Sequence, residues 1–283
     1  MSENNGNTFD EHSNALERAI QVLDHELEEY GDIYAHKDAP ASTLQATPAS
    51  QPTAAPQIAS VPKQAPEPKP APAPQPSPPA MKSIESCTTL QELEALAETM
   101  DELKTDLEGT RLVFGDGNPR ADLVIVGEAP GANEDKEGIP FVGRAGKLLT
   151  DILEAIQMDR SVVYIANILK HRPPENRNPS EDERQRSLPL LHKQLELIQP
   201  KMVLCLGKVS ANTLLANCTA LGELRSQAHP LMVGAHQTEC WVTYHPAALL
   251  RNPNWKRPTW EDVQLVQKRY LELKCQPAIV QSS

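Results

Sequence analysis

The sequence lacks several features that would place the protein in a membrane or outside the cell. No apolar run approaches the roughly 18 residues that a membrane-spanning helix requires, so no membrane span is expected. The five cysteines are odd in number and include no Cys-x-x-Cys pair, and no secretion signal opens the chain. These absences favour a reduced, cytoplasmic setting.

Positive charge and aromatic side chains are also scarce. The net charge is −11, and the first 85 residues alone hold 5 basic and 12 acidic side chains. Such a chain can still bind nucleic acid, but the binding must then come from a local basic face rather than from the overall field. Aromatic residues make up only 4% of the chain, so an aromatic ring within a polar loop is a candidate for ligand binding.

Proline divides the chain into regions. Of the 26 prolines, 13 fall between Pro40 and Pro79, in a stretch that has almost nothing to bury. Apolar positions between residues 10 and 30 suggest an amphipathic helix, which is either a docking helix for a protein partner or a frayed segment. We predict an acidic tail over residues 1–37, a Pro/Ala-rich disordered linker over 38–85, one folded domain over 86–275 and a disordered tail over 276–283.

Apolar runs separated by helical patterns predict the fold of this domain. Near-continuously apolar strands that alternate with helices are typical of a mostly parallel sheet covered on both faces. We therefore predict an α/β fold with three layers, α/β/α, around a four-stranded central sheet, with a short broken strand near residues 112–119. The predicted central strands are 123–126, 162–167, 202–207 and 240–244, and the predicted helices are 88–107, 143–158, 180–198, 208–215 and 259–274.

The first central strand leads into a glycine-rich turn and then into a helix. The stretch from Gly127 to Gly143 holds four carboxylates, among them Glu134 and Asp135 in the turn, and the aromatic ring of Phe141. A strand, a turn and a helix in this order place function at the carboxyl edge of an open α/β sheet. Phe141 either stacks on a ligand there or folds back to plug the core beneath its own loop.

Polar side chains also follow the second and fourth central strands, at Asn167 and His245. Because parallel strands end along one edge, we expect Glu128, Phe141, Asn167 and His245 to converge there. The ring of Phe141 suits a flat ligand, and the amide of Asn167 offers the donor and the acceptor that the edge of a nucleobase needs. Free N–H groups at the helix start near Gly143 would suit a phosphate. This inventory indicates an enzyme that flips a base out of DNA and acts on it.

Three motifs carry a resemblance to a known family. They are Gly127-Glu-Ala-Pro-Gly131 with Gly138-Ile-Pro-Phe-Val-Gly143, then Asn167-Ile-Leu-Lys-His-Arg-Pro-Pro174, and His245-Pro-Ala-Ala-Leu-Leu-Arg251. With them the chain resembles the family 4 uracil-DNA glycosylases over about residues 112–273. The resemblance implies an enzyme of base excision repair that flips uracil out of DNA and hydrolyses its N-glycosidic bond, leaving an abasic site. Uracil-containing DNA is then the expected partner, and we expect a monomer.

The resemblance also implies roles for the pocket residues. Phe141 matches the aromatic residue that stacks on the flipped uracil, and Asn167 matches the amide that reads the pyrimidine edge. Glu128 and the backbone at Ala129 match the part of the first motif that lines the uracil pocket.

Catalytic roles follow from the same resemblance. His245 matches the histidine that faces the uracil O2, where negative charge develops as the base leaves. The group that orients the attacking water is left open. Glu134 and Asp135 are candidates, although either carboxylate could cap a helix or a turn instead.

Contacts with DNA are expected outside the pocket. Leu249 and Leu250 match the loop that wedges into the space left by the base, and Arg251 lies where it would hold a phosphate. We also expect Gly143, at a helix start, and Arg172, beyond the second central strand, to contact DNA.

The family carries a [4Fe-4S] cluster on four cysteines, and this sequence departs from it at all four positions. They read Met100, Leu103, His171 and Ser187. One imidazole without a thiolate cannot hold such a cluster. We therefore predict that the protein has no cofactor and no metal site, and that apolar packing around Met100 and Leu103 takes over the role of the cluster.

Two other functions stay open on the sequence alone. One is a non-catalytic module of the same fold that binds damaged or uracil-bearing DNA, and the other is a glycosylase for another damaged base. A zinc deaminase is excluded, because its His-x-Glu and Pro-Cys-x-x-Cys elements are absent.

Overall fold

A computed structural model describes residues 83–275. The predicted acidic tail with its helix, nearly all of the predicted linker and the predicted C-terminal tail lie outside these residues. Within them, the strands are β1 (Asp116–Gly117), β2 (Leu123–Gly127), β3 (Tyr164–Asn167), β4 (Met202–Leu206), β5 (His229–Val233) and β6 (His236–Thr243). The α-helices are α1 (Leu90–Ala97), α2 (Ala132–Glu137), α3 (Arg144–Ala155), α4 (Glu181–Ile198), α5 (Lys208–Leu214), α6 (Leu221–Leu224), α7 (Pro246–Arg251) and α8 (Lys256–Glu272).

The strands form one sheet in the order β1-β3-β2-β4-β6-β5. β3, β2, β4 and β6 are parallel, whereas β1 and β5 pair antiparallel at the two edges. The predicted α/β fold with a mostly parallel sheet is confirmed, and the four apolar runs supply its four parallel strands. The sheet has two strands more than the predicted four. β5 carries only a short apolar run, because its first two residues are His229 and Pro230 and only three apolar residues follow them.

Alternate residues of the central strands feed two apolar layers, one on each face of the sheet. Val124, Val126, Val203 and Cys205 pack with α4, α5 and α6, while Leu123, Ile125 and Leu204 pack with α3 and α8. All five residues of β2 are buried, as expected for a strand that is covered on both sides.

A third apolar cluster joins the N-terminal part of the described chain to α4. Leu93 and Ala97 of α1 pack with Leu103, Phe114 and Leu190, each of them at most 4% exposed. The helix predicted over residues 88–107 ends at Ala97 and is followed by a 3-10 turn at Asp101–Leu103. No helix within residues 83–275 is long and apolar enough to cross a membrane.

Three short helices, α2, α6 and α7, are not predicted by the sequence patterns, and the last helix begins earlier than predicted. α8 begins at Lys256 and carries Pro258 in its first turn, where the missing N–H has no helical acceptor to lose. β2 and β3 are in a register that pairs Gly127 with Asn167. The carboxyl ends of β2, β3, β4 and β6 therefore meet at one edge of the sheet.

Candidate active site

A cleft of about 340 Å³ opens at this carboxyl edge. It brings together the residues that sequence reasoning expected to converge, and the loop after β3 adds a wall of which only Pro173 belongs to a sequence motif. Its lining consists of Glu128, Ala129, Pro130, Gly131, Glu134, Phe141, Ala145, Asn167, Pro173, Asn176, Arg177, Asn178, His245, Ala247 and Arg251.

Phe141 forms part of one wall. Its ring centroid lies 5.5 Å from that of His245, with the two ring planes tilted by 31°. The residue is only 6% exposed and also packs on the apolar layer of Leu123 and Ile125. The two interpretations of Phe141, stacking on a ligand and packing in the core, are therefore compatible, because the same side chain lines the cleft and packs on the apolar layer.

Gly127 allows this wall to form. A Cβ at Gly127 would lie 2.6 Å from Cζ of Phe141 and 2.3 Å from Oδ1 of Asn167. Both distances are shorter than real Cβ contacts, so any side chain at this position would displace the ring or the amide. Glycine is required here by the close approach of its neighbours rather than by its backbone angles.

Asn167 ends β3 and is 1% exposed. Its Oδ1 is buried and accepts no hydrogen bond within the part of the chain that the structure describes. A buried acceptor without a donor costs about 1–3 kcal/mol. A ligand N–H that reached this oxygen would recover that free energy.

A buried lysine supports Asn167 from behind. Nζ of Lys170 donates to the main-chain oxygens of Asn167 (2.9 Å) and Phe114 (3.1 Å) and to Oε1 of Gln194 (2.7 Å). Lys170 is 0% exposed, and burial lowers its pKa to about 7. Nε2 of Gln194 donates in turn to the oxygen of Phe114 and to the hydroxyl of Tyr164. This network fixes the end of β3, and no sequence signal separates Lys170 from the other basic residues near it.

His245 follows β6 and caps the N-terminus of α7. Its Nδ1 accepts a hydrogen bond of 3.1 Å from the N–H of Ala247, so the proton of the neutral ring lies on Nε2. Burial, helped by the neighbouring charge of Arg251, lowers the pKa of His245 to about 4. At neutral pH the ring is uncharged and carries one N–H donor.

Glu134 holds the glycine-rich loop together. Its Oε1 accepts from the N–H groups of Val142 (3.0 Å) and Gly143 (2.9 Å), and its Oε2 accepts from that of Gly131 (3.0 Å). Both carboxylate oxygens are therefore engaged. The N–H of Gly143, expected to bind a phosphate, donates to Glu134 instead, so this part of the prediction for Gly143 is corrected.

Glu128 is the second carboxylate of the cleft. No hydrogen bond holds its side chain among residues 83–275, in contrast to Glu134. Burial raises the pKa of Glu128, although the charges of Arg184 and Arg251 oppose this shift.

Comparison with known proteins identifies the family. The family model described as the uracil DNA glycosylase superfamily matches residues 114–264. The chain is 40% identical over 164 residues to the type-4 uracil-DNA glycosylase of Sulfurisphaera tokodaii, covering 56% of this chain and 74% of that protein. The type-4 enzymes of Pyrobaculum aerophilum and Archaeoglobus fulgidus are 38% and 37% identical, over 58% and 61% of this chain and 86% and 90% of theirs.

This chain belongs to the type-4 uracil-DNA glycosylases. The resemblance drawn from its three motifs is therefore confirmed. The matched span contains the whole carboxyl edge of the sheet, from Gly127 to His245.

The residues expected to contact DNA outside the glycosylase pocket differ in how far they are exposed. Leu249 is 1% exposed and lines a small pocket with Leu148 and Val263, so it does not face outward in this structure, and its contact with DNA stays a prediction. Leu250 is partly exposed and Arg251 is exposed at the cleft. Adjacent side chains of a helix point about 100° apart, so α7 turns Leu249 towards α3 and α8 while Leu250 stays partly exposed.

Arg172 is likewise engaged within the protein. Its Nε donates to Oδ1 of Asn176, at 2.7 Å, in the loop that forms the additional cleft wall. Asn176 and the preceding Glu175 have left-handed backbones, with φ of 52° and 53°. Strained backbone is concentrated at functional sites, and the position of this loop directly after Asn167 is the signal that could have identified it.

The four positions that carry cysteine ligands in this glycosylase family do not offer a cluster site. Met100 is half-buried, and Leu103, His171 and Ser187 are buried. Nδ1 of His171 is within 3.0 Å of the hydroxyl of Thr110. A thioether, an alkyl chain, an occupied imidazole and a hydroxyl do not supply the thiolates that a [4Fe-4S] cluster needs. Within residues 83–275, no three His, Cys, Asp or Glu side chains come together to hold a metal ion.

Other contacts join the segments that the cluster would bridge. The hydroxyl of Thr105 donates to the carbonyl of Arg172 (2.6 Å), and Nη1 of Arg186 donates to the carbonyl of Glu102 (3.1 Å). Leu103 packs beneath them in the third apolar cluster. These contacts connect residues 102–105 to the loop after β3 and to α4.

Proposed function

We propose that this protein removes uracil from DNA as a uracil-DNA glycosylase. One observation carries the proposal: a buried amide oxygen without a donor, that of Asn167, lies in a cleft with an aromatic ring and a neutral histidine. The family of the chain supports the same activity.

Recognition rests on the amide of Asn167. Uracil presents an N3–H donor beside its O4 acceptor, which matches the acceptor and the donor of a side-chain amide. Cytosine lacks the N3–H and carries an amino donor instead of O4, so the same orientation of the amide leaves two groups unpaired. A site that hydrogen-bonds its substrate strongly rejects an analogue that lacks the group. Phe141 supplies the stacking surface for the flipped ring.

Bond cleavage places negative charge on the base. The bond between N1 of uracil and C1′ of the sugar breaks, both electrons leave with the base, and the sugar becomes oxocarbenium-like. The N–H at Nε2 of His245 donates to O2, where this charge accumulates. One such donor in a dry site contributes about 3–4 kcal/mol to the stability of a transition state. Water then adds its hydroxide to C1′, and its remaining proton neutralises the uracil anion.

The attacking water needs an acceptor to orient it. Glu134 was one of the two sequence-based candidates, with Asp135, but three main-chain N–H groups already engage the two oxygens of Glu134. We therefore assign Glu134 to the loop and Glu128 to the water, because Glu128 lines the same cleft without such bonds. Glu128→Gln should lower the rate of uracil release without lowering the melting temperature, whereas Glu134→Gln should lower both. If Glu134→Gln instead lowers the rate without lowering the melting temperature, Glu134 rather than Glu128 orients the water.

The decisive experiment measures free uracil released from a single-stranded oligonucleotide and from a U·G duplex. Wild type should release uracil, and His245→Ala and Asn167→Ala should each be slower by about 100-fold or more. Arg120→Met is a matched control, because Arg120 is exposed just before β2, at the opposite edge of the sheet. Tight binding by wild type without release would instead identify a damage-binding module, and release of a different base would identify another glycosylase.

We also propose that the enzyme works without an iron–sulfur cluster. The absence of thiolates at the four family positions supports a protein without the cluster. The contacts that join residues 102–105 to α4 and to the loop after β3 support it as well. Purified protein should contain no stoichiometric iron and show no broad absorbance near about 400 nm, where thiolate-bound clusters absorb. Stoichiometric iron with that band would overturn the proposal.

Uracil-containing DNA is the proposed partner, and a reduced, cytoplasmic setting is the proposed environment. All five cysteines are free thiols, which supports a reduced setting. The monomeric state and a protein partner for the N-terminal helix stay predictions.

A further inference from the structure

Phe141 has an unusual backbone. Its φ is 55°, in the left-handed region that bulky side chains rarely adopt. Such a conformation persists only where the surroundings determine it, and it is common where a protein pre-organises a binding site. The question is which groups hold Phe141 in this conformation.

Arg160 contacts the peptide groups on either side of the Phe141 α-carbon. Its Nη1 donates to the carbonyl of Phe141 at 2.8 Å, and its Nη2 donates to the carbonyl of Pro140. Arg160 lies in the turn between α3 and β3, some 20 residues from this loop, and it does not line the cleft. Its Nε is 3.9 Å from Oδ2 of Asp116 on the edge strand β1.

The opposite charge holds the N–H side of the Phe141–Val142 peptide group, whose carbonyl Arg160 holds, and the N–H of the next peptide group. The carboxylate of Glu134 accepts from the N–H groups of Val142 and Gly143. α3 closes the third side, because a Cβ at Gly146 would lie 1.9 Å from the carbonyl oxygen of Phe141. A cation therefore holds two carbonyls, an anion holds two amides, and a helix packs directly on the peptide between them.

We infer that Arg160 is a positioning residue for uracil excision, which holds Phe141 in its left-handed conformation so that the ring faces the cleft beside His245. The inference rests on the proposed function, since it concerns the same pocket. A planar guanidinium presents two parallel N–H groups to two adjacent carbonyls, which an ammonium group cannot do. Arg160 contributes no group to the reacting atoms, so all of its effect should pass through Phe141.

A double-mutant cycle tests whether Arg160 acts on uracil release through Phe141. Arg160→Met should slow uracil release by about tenfold or more, because small misplacements in a site cost large factors in rate. In a Phe141→Ala background the same change should cost less than about twofold, since residues that act as one unit are not additive. Arg160→Lys keeps the charge near Asp116 and should fold like wild type, yet it should show most of the loss. Arg120→Met is the control for removal of an arginine.

Hydrogen exchange of the loop provides a readout that does not depend on turnover. Amides in residues 141–147 should exchange faster in Arg160→Met and Arg160→Lys than in wild type, while those of β4 stay unchanged. The inference is overturned by equal exchange in the loop, by wild-type rates in both variants, or by an undiminished loss in the Phe141→Ala background. Failure of the proposed function is distinct, because it appears as wild type that releases no uracil.

Discussion

The buried ammonium of Lys170 makes the stability of the fold depend on pH in a defined direction. The pKa of Lys170 is lowered from 10.5 to about 7 by burial, and its hydrogen-bond partners within residues 83–275 are two carbonyls and an amide rather than a carboxylate. Below pH 7 the side chain is charged in the folded and the unfolded chain alike. Between pH 7 and 10.5 the unfolded chain keeps a proton that the folded chain has lost, so stability rises with pH.

The magnitude follows from the shift. Between pH 7 and pH 9, Lys170 should add about 2 kcal/mol to the free energy of unfolding, integrated at 1.36 kcal/mol per unit of pKa difference. Lys170→Met removes the titrating group and should remove this gain. Urea unfolding of wild type and Lys170→Met at pH 7, 8 and 9 measures how their free energies of unfolding change with pH. The other titrating groups contribute almost equally to both proteins, so they largely cancel in the difference. Lys268→Met, an exposed lysine of α8, should retain the wild-type slope.

Parallel pH profiles for wild type and Lys170→Met would refute this reasoning. They would mean that the ammonium of Lys170 is solvated or compensated in the folded protein. The absolute stability of Lys170→Met at pH 7 is less informative, because two effects oppose each other. Removing the buried charge stabilises the fold, but it leaves acceptors such as the carbonyl of Asn167 without a donor, which destabilises the fold.

Three further outcomes are expected. In an NMR titration assigned with His245→Ala, the ring of His245 should stay neutral down to about pH 5, since its pKa is lowered to about 4, and a midpoint near 6.5 would contradict this. Gly127→Ala should reduce uracil release by about 100-fold or more, because the new Cβ would collide with Asn167, whereas Gly222→Ala, with open space around it, should have no effect. Glu134→Gln should lower the free energy of unfolding by about 1–3 kcal/mol in a urea melt, because an amide accepts through only one oxygen.

The sequence predicts the sheet and the convergence of the site well, for a physical reason. Buried parallel strands need continuous apolar runs, and their shared direction forces Gly127, Asn167 and His245 to one edge. Edge strands have no such requirement, and β5, with only three consecutive apolar residues after Pro230, is accordingly missed. Strand order and the carboxyl-edge rule therefore determine which loops meet, before any side chain is placed.

Orientation within a loop is where sequence reasoning falls short. Leu249 and Leu250 look equivalent in the motif, yet packing on α3 and α8 buries one and leaves the other accessible. Glu134 looks like a catalytic carboxylate until its three amide donors are seen. The burial of Leu249 depends on contacts with residues that are remote in the chain, and the hydrogen bonds of Glu134 depend on the conformation of its own loop. The spacing of residues in the sequence predicts neither.

The hydrogen bonds of Arg160 and Glu134 that hold the loop of Phe141 have a consequence for what happens after bond cleavage. A recognition loop that is ordered before DNA arrives leaves little conformational entropy to lose on binding, so affinity is gained for any ligand that fits. Under the proposed function, Phe141 and Asn167 contact the base alone, so free uracil should bind the same two groups as the flipped nucleotide. The rigidity that speeds recognition thus also retains the product, and departure of the base becomes a step that can limit turnover.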